Sequence, residues 1–196
     1  MLSQKKPIIE KYLQPLIKPL ANIDPNILTL IGSIPPLLFF VLVAYGYYNF
    51  ALLIFPFLAI DLLDGAVARM AGKVTAFGGF LDSTIDRISD FLIISAFGFG
   101  MIAGWKIVVI FLFAAFLVSY IRSRGELASN KTLSFNMGLI ERTERMIGIF
   151  VGLVGYLLAP SFTFGGFNII ELAFILLIFS SFITIIQRIL WAYKKL

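Results

Sequence analysis

Residues 61–90 read DLLDGAVARMAGKVTAFGGFLDSTIDRISD and hold five of the chain's six aspartates, together with Arg69, Lys73 and Arg87. The chain around them is 60% hydrophobic and only 14% charged, with long apolar runs on both sides of the stretch. Much of this charge therefore lies in or beside a membrane, where an ionisable side chain is costly and by default marks function. Asp61 and Asp64 are three apart and Ala68 follows four later, which sets all three on one face of a helix. Gly65 and Ala68 keep that face open to a ligand or another backbone. Gly78, Asp82, Asp86 and Asp90 recur every four residues and form a second stripe. A short turn over 73–76 would run the two helices antiparallel and bring the stripes together.

Carboxylates crowded in this way repel one another unless cations lie between them. An all-oxygen donor set suits Mg2+ or Mn2+, and two such ions can share bridging carboxylates. A pair of that kind serves phosphoryl transfer. The chain has no His and no Cys, which excludes disulfides, thiolate or imidazole ligands, a cysteine nucleophile and a histidine base. A carboxylate is then the expected general base. Two other uses of the same residues stand beside this one. The aspartates could pair with Arg69, Lys73 and Arg87 in a buried ionic network, or line a proton or cation pathway in a small cation transporter.

A mean hydropathy of +0.97 and 21 Phe exclude an ordinary soluble domain. The expected fold class is an all-α integral membrane protein of about six transmembrane helices, preceded by an N-terminal amphipathic helix. Residues 1–22 alternate lysines with apolar residues around Pro7, Pro15 and Pro19, and show no pattern of a cleaved leader. They read as an interfacial segment with Lys5, Lys6, Lys11 and Lys18 toward anionic headgroups, or as a solvated basic leader. Residues 23–196 form the membrane domain, with spans expected over 27–48, 50–70, 77–103, 105–120, 137–159 and 168–191. Asp24 should cap the first of these with Pro25 in its first turn, and Pro35 and Pro36 should kink it. A charged loop is expected over 122–130. Six spans put both termini on one side, where fifteen of the sixteen Lys and Arg fall, Lys106 alone lying opposite. By the positive-inside rule that side is cytoplasmic. The net charge of +5 thus reflects membrane orientation and gives no reason to expect a nucleic-acid partner.

The pattern Asp61-x2-Asp64-Gly65-x2-Ala68-Arg69, eight residues, then Gly78-x3-Asp82-x3-Asp86 resembles the complete signature of the CDP-alcohol phosphotransferases, with all eight positions filled. The resemblance extends to the six spans, the interfacial helix and the Pro-Asn start of the first span. It implies a multi-pass enzyme of the plasma membrane, a homodimer, with its active site facing the cytoplasm and a CDP-lipid as donor. It further implies two divalent cations, one held by Asp61, Asp64 and Asp82 and one by Asp61, Asp82 and Asp86. Asp86 would also be the general base that takes the proton of the attacking hydroxyl. Gly65 would admit the nucleotide closely, Arg69 would pair with the diphosphate and Thr75 would offer a hydroxyl. Asp24, Pro25, Asn26 and Ile27 resemble the segment that contacts the cytidine end.

For the acceptor, FLDSTIDRISD, SYIRSRGE and GLIERTER are similar to the branch of that family that uses an inositol phosphate. An acceptor that carries a phosphate needs cations of its own, and arginine forks suit phosphate oxygens. Arg122, Arg124, Lys131, Arg142 and Arg145 supply them, with Glu126, Glu141 or Glu144 available to orient the guanidinium groups. The same residues could instead serve only as positive-inside anchors. Glycerol 3-phosphate and serine are the other acceptors to consider.

Overall fold

The computed structural model describes residues 23–59, 61–130 and 132–196, with backbone alone at 59 and 61–65. The expected interfacial segment 1–22 and Lys131 lie outside the described residues. The chain divides into two compact units, Met1–Gly100 and Met101–Leu196.

The first unit opens with α1 (Pro25–Gly32), started as expected by the Asp24 carboxylate accepting from the Asn26 N–H at 2.9 Å, with Pro25 in the first turn. The helix stops at Ser33, whose hydroxyl donates to the Leu30 carbonyl, and resumes as α2 (Ile34–Ala44). The break expected at Pro35 and Pro36 thus falls just before them. Both prolines sit in the first turn of α2, where a missing N–H costs no helical hydrogen bond. Together Pro25–Ala44 is apolar and long enough to cross a bilayer.

The continuous second span expected over 50–70 is three pieces: α3 (Tyr48–Ile54), a 3-10 turn (Phe55–Ala59) and α4 (Asp61–Met70). Pro56 in the middle cannot donate to the preceding turn, so the chain tightens there instead of continuing as α-helix. Helix α5 (Ala76–Phe99) follows, 24 residues long. The core of the unit gathers Phe39, Phe55 and Phe97, the first edge-on to the second at 5.6 Å and tilted to the third at 5.9 Å, with Val43, Ile93 and Ile94 around them. Tyr48 closes it by donating to the Gly100 carbonyl at 3.1 Å. A Cβ at Gly100 would come 2.5 Å from the Val43 carbonyl, so only glycine lets α2 approach this closely.

In the second unit α6 (Trp105–Ala128) and α7 (Arg142–Leu158) both pack on α8 (Ile169–Lys195). The charged loop expected over 122–130 is helix as far as Ala128. Arg122 and Glu126, four apart, pair at 3.1 Å on its surface, Gly125 is carried within the helix against Phe135, and the chain leaves it at Asn130, which takes φ +51°. The start expected near Met137 is also moved: α7 begins at Arg142, behind a box in which Glu141 and Glu144 cap each other's backbone N–H. Gly138, at φ +130°, lies against Thr184 and holds the preceding residues out of the helix. A two-stranded hairpin, β1 (Thr163–Phe164) with β2 (Phe167–Asn168), modifies the all-α expectation. Gly165 and Gly166, both at positive φ, make its two-residue turn. Trp105–Ala128 and Ile169–Lys195 are each long and apolar enough to span a membrane. With Pro25–Ala44 that makes three such segments among the described residues, and their outward side chains, such as Leu176 and Phe179, are apolar.

Candidate active site

The turn between α4 and α5 is built by local chemistry. Helix α4 ends with Gly72 at φ +64°, the Gly72 N–H donating to the Arg69 carbonyl and the Lys73 N–H to the Ala68 carbonyl. This paired closure needs a left-handed residue, which glycine supplies without strain. Three residues on, the Thr75 hydroxyl accepts from the Gly78 N–H at 2.9 Å and starts α5. The two aspartate helices are thus reversed within 71–75. Helix α1 packs on both: Leu28 meets Ala66 and Val67, while a Cβ at Gly78 would lie 3.3 Å from Asn26 Oδ1 and 3.1 Å from Thr75 Oγ1. Gly78 therefore lets the Asn26 side chain reach the first turn of α5.

Asp61 and Asp64 occupy α4, three apart on one face, in a region where the backbone alone is described. Asp82 and Asp86 lie one turn apart on α5 and are partly exposed. Asp90, one turn further, is buried at 5% exposure. Arg87 lies between, its Nη2 3.5 Å from Asp86 and 3.6 Å from Asp90. Among the described residues no three carboxylates converge on one point. Arg69 is exposed in the last turn of α4, where a cation suits the helix end. Thr75, read from sequence as a nucleotide contact, also accepts the Gly78 N–H and caps α5, its hydroxyl hydrogen remaining a donor. Thr75→Asn, which also caps, should keep stability, while Thr75→Ala should lower stability by about 1 kcal/mol in thermal melts. Loss of activity in Thr75→Asn at wild-type stability would mean that the hydroxyl also meets substrate.

The basic residues belong to the second unit. Arg122 pairs with Glu126 and lies 4.0 Å from Glu141, Arg124 is exposed, and Arg142 opens α7 half-buried. Arg145 is fully buried. Sequence reading missed the role of Arg188, counted there only as a positive-inside charge. It is 1% exposed and donates from Nε to the Met137 carbonyl at 2.8 Å, from Nη1 to the Val118 carbonyl at 2.5 Å and from Nη2 to Glu141 at 3.2 Å. The signal was present in TIIQRILW: an arginine within an apolar run demands internal partners.

Residues 22–186 match the CDP-alcohol phosphatidyltransferase family. The chain belongs to this family. Among its relatives, the archaetidylinositol phosphate synthase of Pyrococcus horikoshii is 38% identical over 100% of this chain and 98% of its own length. The phosphatidylinositol phosphate synthase of Mycobacterium tuberculosis, solved with CDP-DAG bound, superimposes with a TM-score of 0.73 at 26% identity, covering 97% of this chain and 94% of that one. The same enzyme solved with manganese and citrate gives a TM-score of 0.75 at 27% identity over 91% and 88% of the two chains. The chain is accordingly a membrane CDP-alcohol phosphotransferase of phospholipid synthesis, and the transporter reading of its aspartates falls away. The family depends on divalent metal, and the donor set fits one. Asp82 and Asp86 offer partly exposed hard oxygens one helical turn apart, and the chain has no His or Cys to compete.

Proposed function

We propose that this CDP-alcohol phosphotransferase transfers the lipid phosphoryl group of a CDP-lipid, CDP-archaeol or CDP-diacylglycerol, to inositol 1-phosphate. CMP is released and a phosphoinositol-phosphate lipid is formed. The observation that carries the reading is the full eight-position signature on α4 and α5, in a chain whose relatives are named for lipids of inositol phosphate. The higher identity of the archaeal relative favours the ether-linked donor.

In this reading Asp61, Asp64, Asp82 and Asp86 hold two divalent cations, Mg2+ or Mn2+, as a first set of Asp61, Asp64 and Asp82 and a second of Asp61, Asp82 and Asp86. When bound, such ions supply charge stabilisation to the pentavalent phosphorus and to the departing phosphate. Asp86 takes the proton of the acceptor hydroxyl as its oxygen bonds to the lipid-side phosphorus. The bond from that phosphorus to the CMP oxygen breaks, and CMP leaves with the electron pair. Arg69 pairs with the diphosphate, Gly65 leaves room for the nucleotide, and the Asp24, Pro25, Asn26 and Ile27 segment meets its cytidine end. The approach of Asn26 to Gly78 brings this segment beside the first turn of α5, the helix of Asp82 and Asp86. Arg122, Arg124, Lys131, Arg142 and Arg145 receive the acceptor phosphate, with Glu126 and Glu141 orienting Arg122. Arg124 and Arg142 retain the exposure that such contacts need, whereas buried Arg145 would have to act from within the protein.

The wider arrangement is part of the same proposal. Residues 1–22 lie in the interface, 23–196 cross the plasma membrane six times as one domain, both termini and the active site face the cytoplasm, and the enzyme is a homodimer. The Lys and Arg distribution supports the orientation. The test is an acceptor panel of inositol 1-phosphate, free inositol, glycerol 3-phosphate and serine, with CMP release as the readout. Inositol 1-phosphate should be preferred, and Arg142→Ala should raise its KM about tenfold or more while leaving the KM for CDP-lipid near wild type. Equal changes in both would mean that Arg142 is only structural, and preference for another acceptor would reassign the reaction.

A further inference from the structure

Arg87 and Asp90 lie outside the eight-position signature, yet they occupy the helix that carries Asp82 and Asp86. Asp90 is a carboxylate with 7% side-chain exposure in the apolar half of α5, followed by buried Ile93, Ile94 and Phe97. A charge so placed needs a partner, and Arg87 supplies it at 3.6 Å. The same nitrogen, Nη2, is 3.5 Å from Asp86, whose side chain is 23% exposed. One guanidinium is therefore shared between a buried carboxylate and the carboxylate read above as base and ligand.

A guanidinium beside a ligating carboxylate competes with a cation for the same oxygens. Arg87 and Asp90 are three positions apart, so the pair lies along one face of the helix and Asp90 competes with Asp86 for the guanidinium. We infer that Asp90 is a positioning residue that shares Arg87 with Asp86 and so weakens the Arg87–Asp86 ion pair, leaving the Asp86 carboxylate easier for a divalent cation to claim. With Asp90 neutral, Asp86 is the carboxylate left to Arg87 among its described partners, and the cation must displace a stronger ion pair than in the wild type.

The inference rests on the metal reading of Asp82 and Asp86, so the test measures binding directly. Mn2+ is titrated into the purified full-length protein in detergent, and free Mn2+ is followed by electron paramagnetic resonance, with CMP release recorded alongside. Asp90→Asn should raise the dissociation constant of the weaker Mn2+ site about fivefold, the size expected of a partly exposed ion pair. Asp90→Glu should bind as wild type. Arg87→Gln combined with Asp90→Asn should bind Mn2+ at least as tightly as wild type, because the competing cation has gone. Wild-type binding by Asp90→Asn, or binding by the double variant as weak as in Asp90→Asn, would overturn the inference. Should Asp90→Asn fail to fold, the charge-free double variant carries the test, and weaker binding by it would overturn the inference equally. Asp82→Asn separates the two levels: if it binds Mn2+ as wild type, the metal reading itself fails.

Discussion

Asp86→Asn is expected to lower turnover about a thousandfold or more, because a positioned general base contributes of this order and the amide can neither accept the hydroxyl proton nor supply the same ligand charge. The variant should keep its fold and retain the Mn2+ held through Asp61, Asp64 and Asp82. The expected persistence of the fold rests on position: Asp86 lies partly exposed on α5, outside the Phe39, Phe55 and Phe97 core. CMP release under saturating CDP-lipid and acceptor measures it. Normal CMP release would remove Asp86 from the role of base.

The second large effect concerns stability. Arg188→Ala removes three hydrogen bonds at once, frees the carbonyls of Val118 and Met137, and leaves Glu141 buried at 8% exposure with Arg122 4.0 Å away. Breaking one side of a buried ion pair costs roughly 3–5 kcal/mol. The apparent melting temperature in detergent should fall by about 10 °C. Because Glu141 is also the N-cap of α7, the loss should reach Arg142 and raise the acceptor KM beyond what stability alone explains. Arg188→Ala combined with Glu141→Gln should melt higher than Arg188→Ala alone, since the stranded charge is then gone. A single variant that melts as wild type would show that this buried network adds nothing.

What could be read from the chain follows from how local each signal is. The Asp24 cap with Pro25 in the first turn was legible because capping uses neighbours in sequence. The reversal between the aspartate helices was legible as a turn, although its closure by Gly72 and the Thr75 cap was not. The family was legible from eight spaced residues, none of which depends on packing. Hydropathy misplaced the helix ends wherever charge and helix coincide. It ended the fourth span at Tyr120, yet Arg122, Arg124 and Glu126 are good helix formers and continue α6 to Ala128. It began the fifth at Met137, but Gly138 at φ +130° is not helical and the helix starts only at Arg142. Arg188 was hidden for a different reason: its partners are 47, 51 and 70 residues away, and no local pattern reports them. The hairpin at FGGF was a short-range signal passed over inside an apolar stretch.

The most direct measurement follows label from water into lipid. Purified protein is incubated with CDP-archaeol or CDP-diacylglycerol and labelled inositol 1-phosphate, with and without Mn2+. The expected result is one labelled phosphoinositol-phosphate lipid formed for each CMP released, only when the metal is present. CMP release with the label remaining in water, or label transfer without metal, would contradict the proposed reaction.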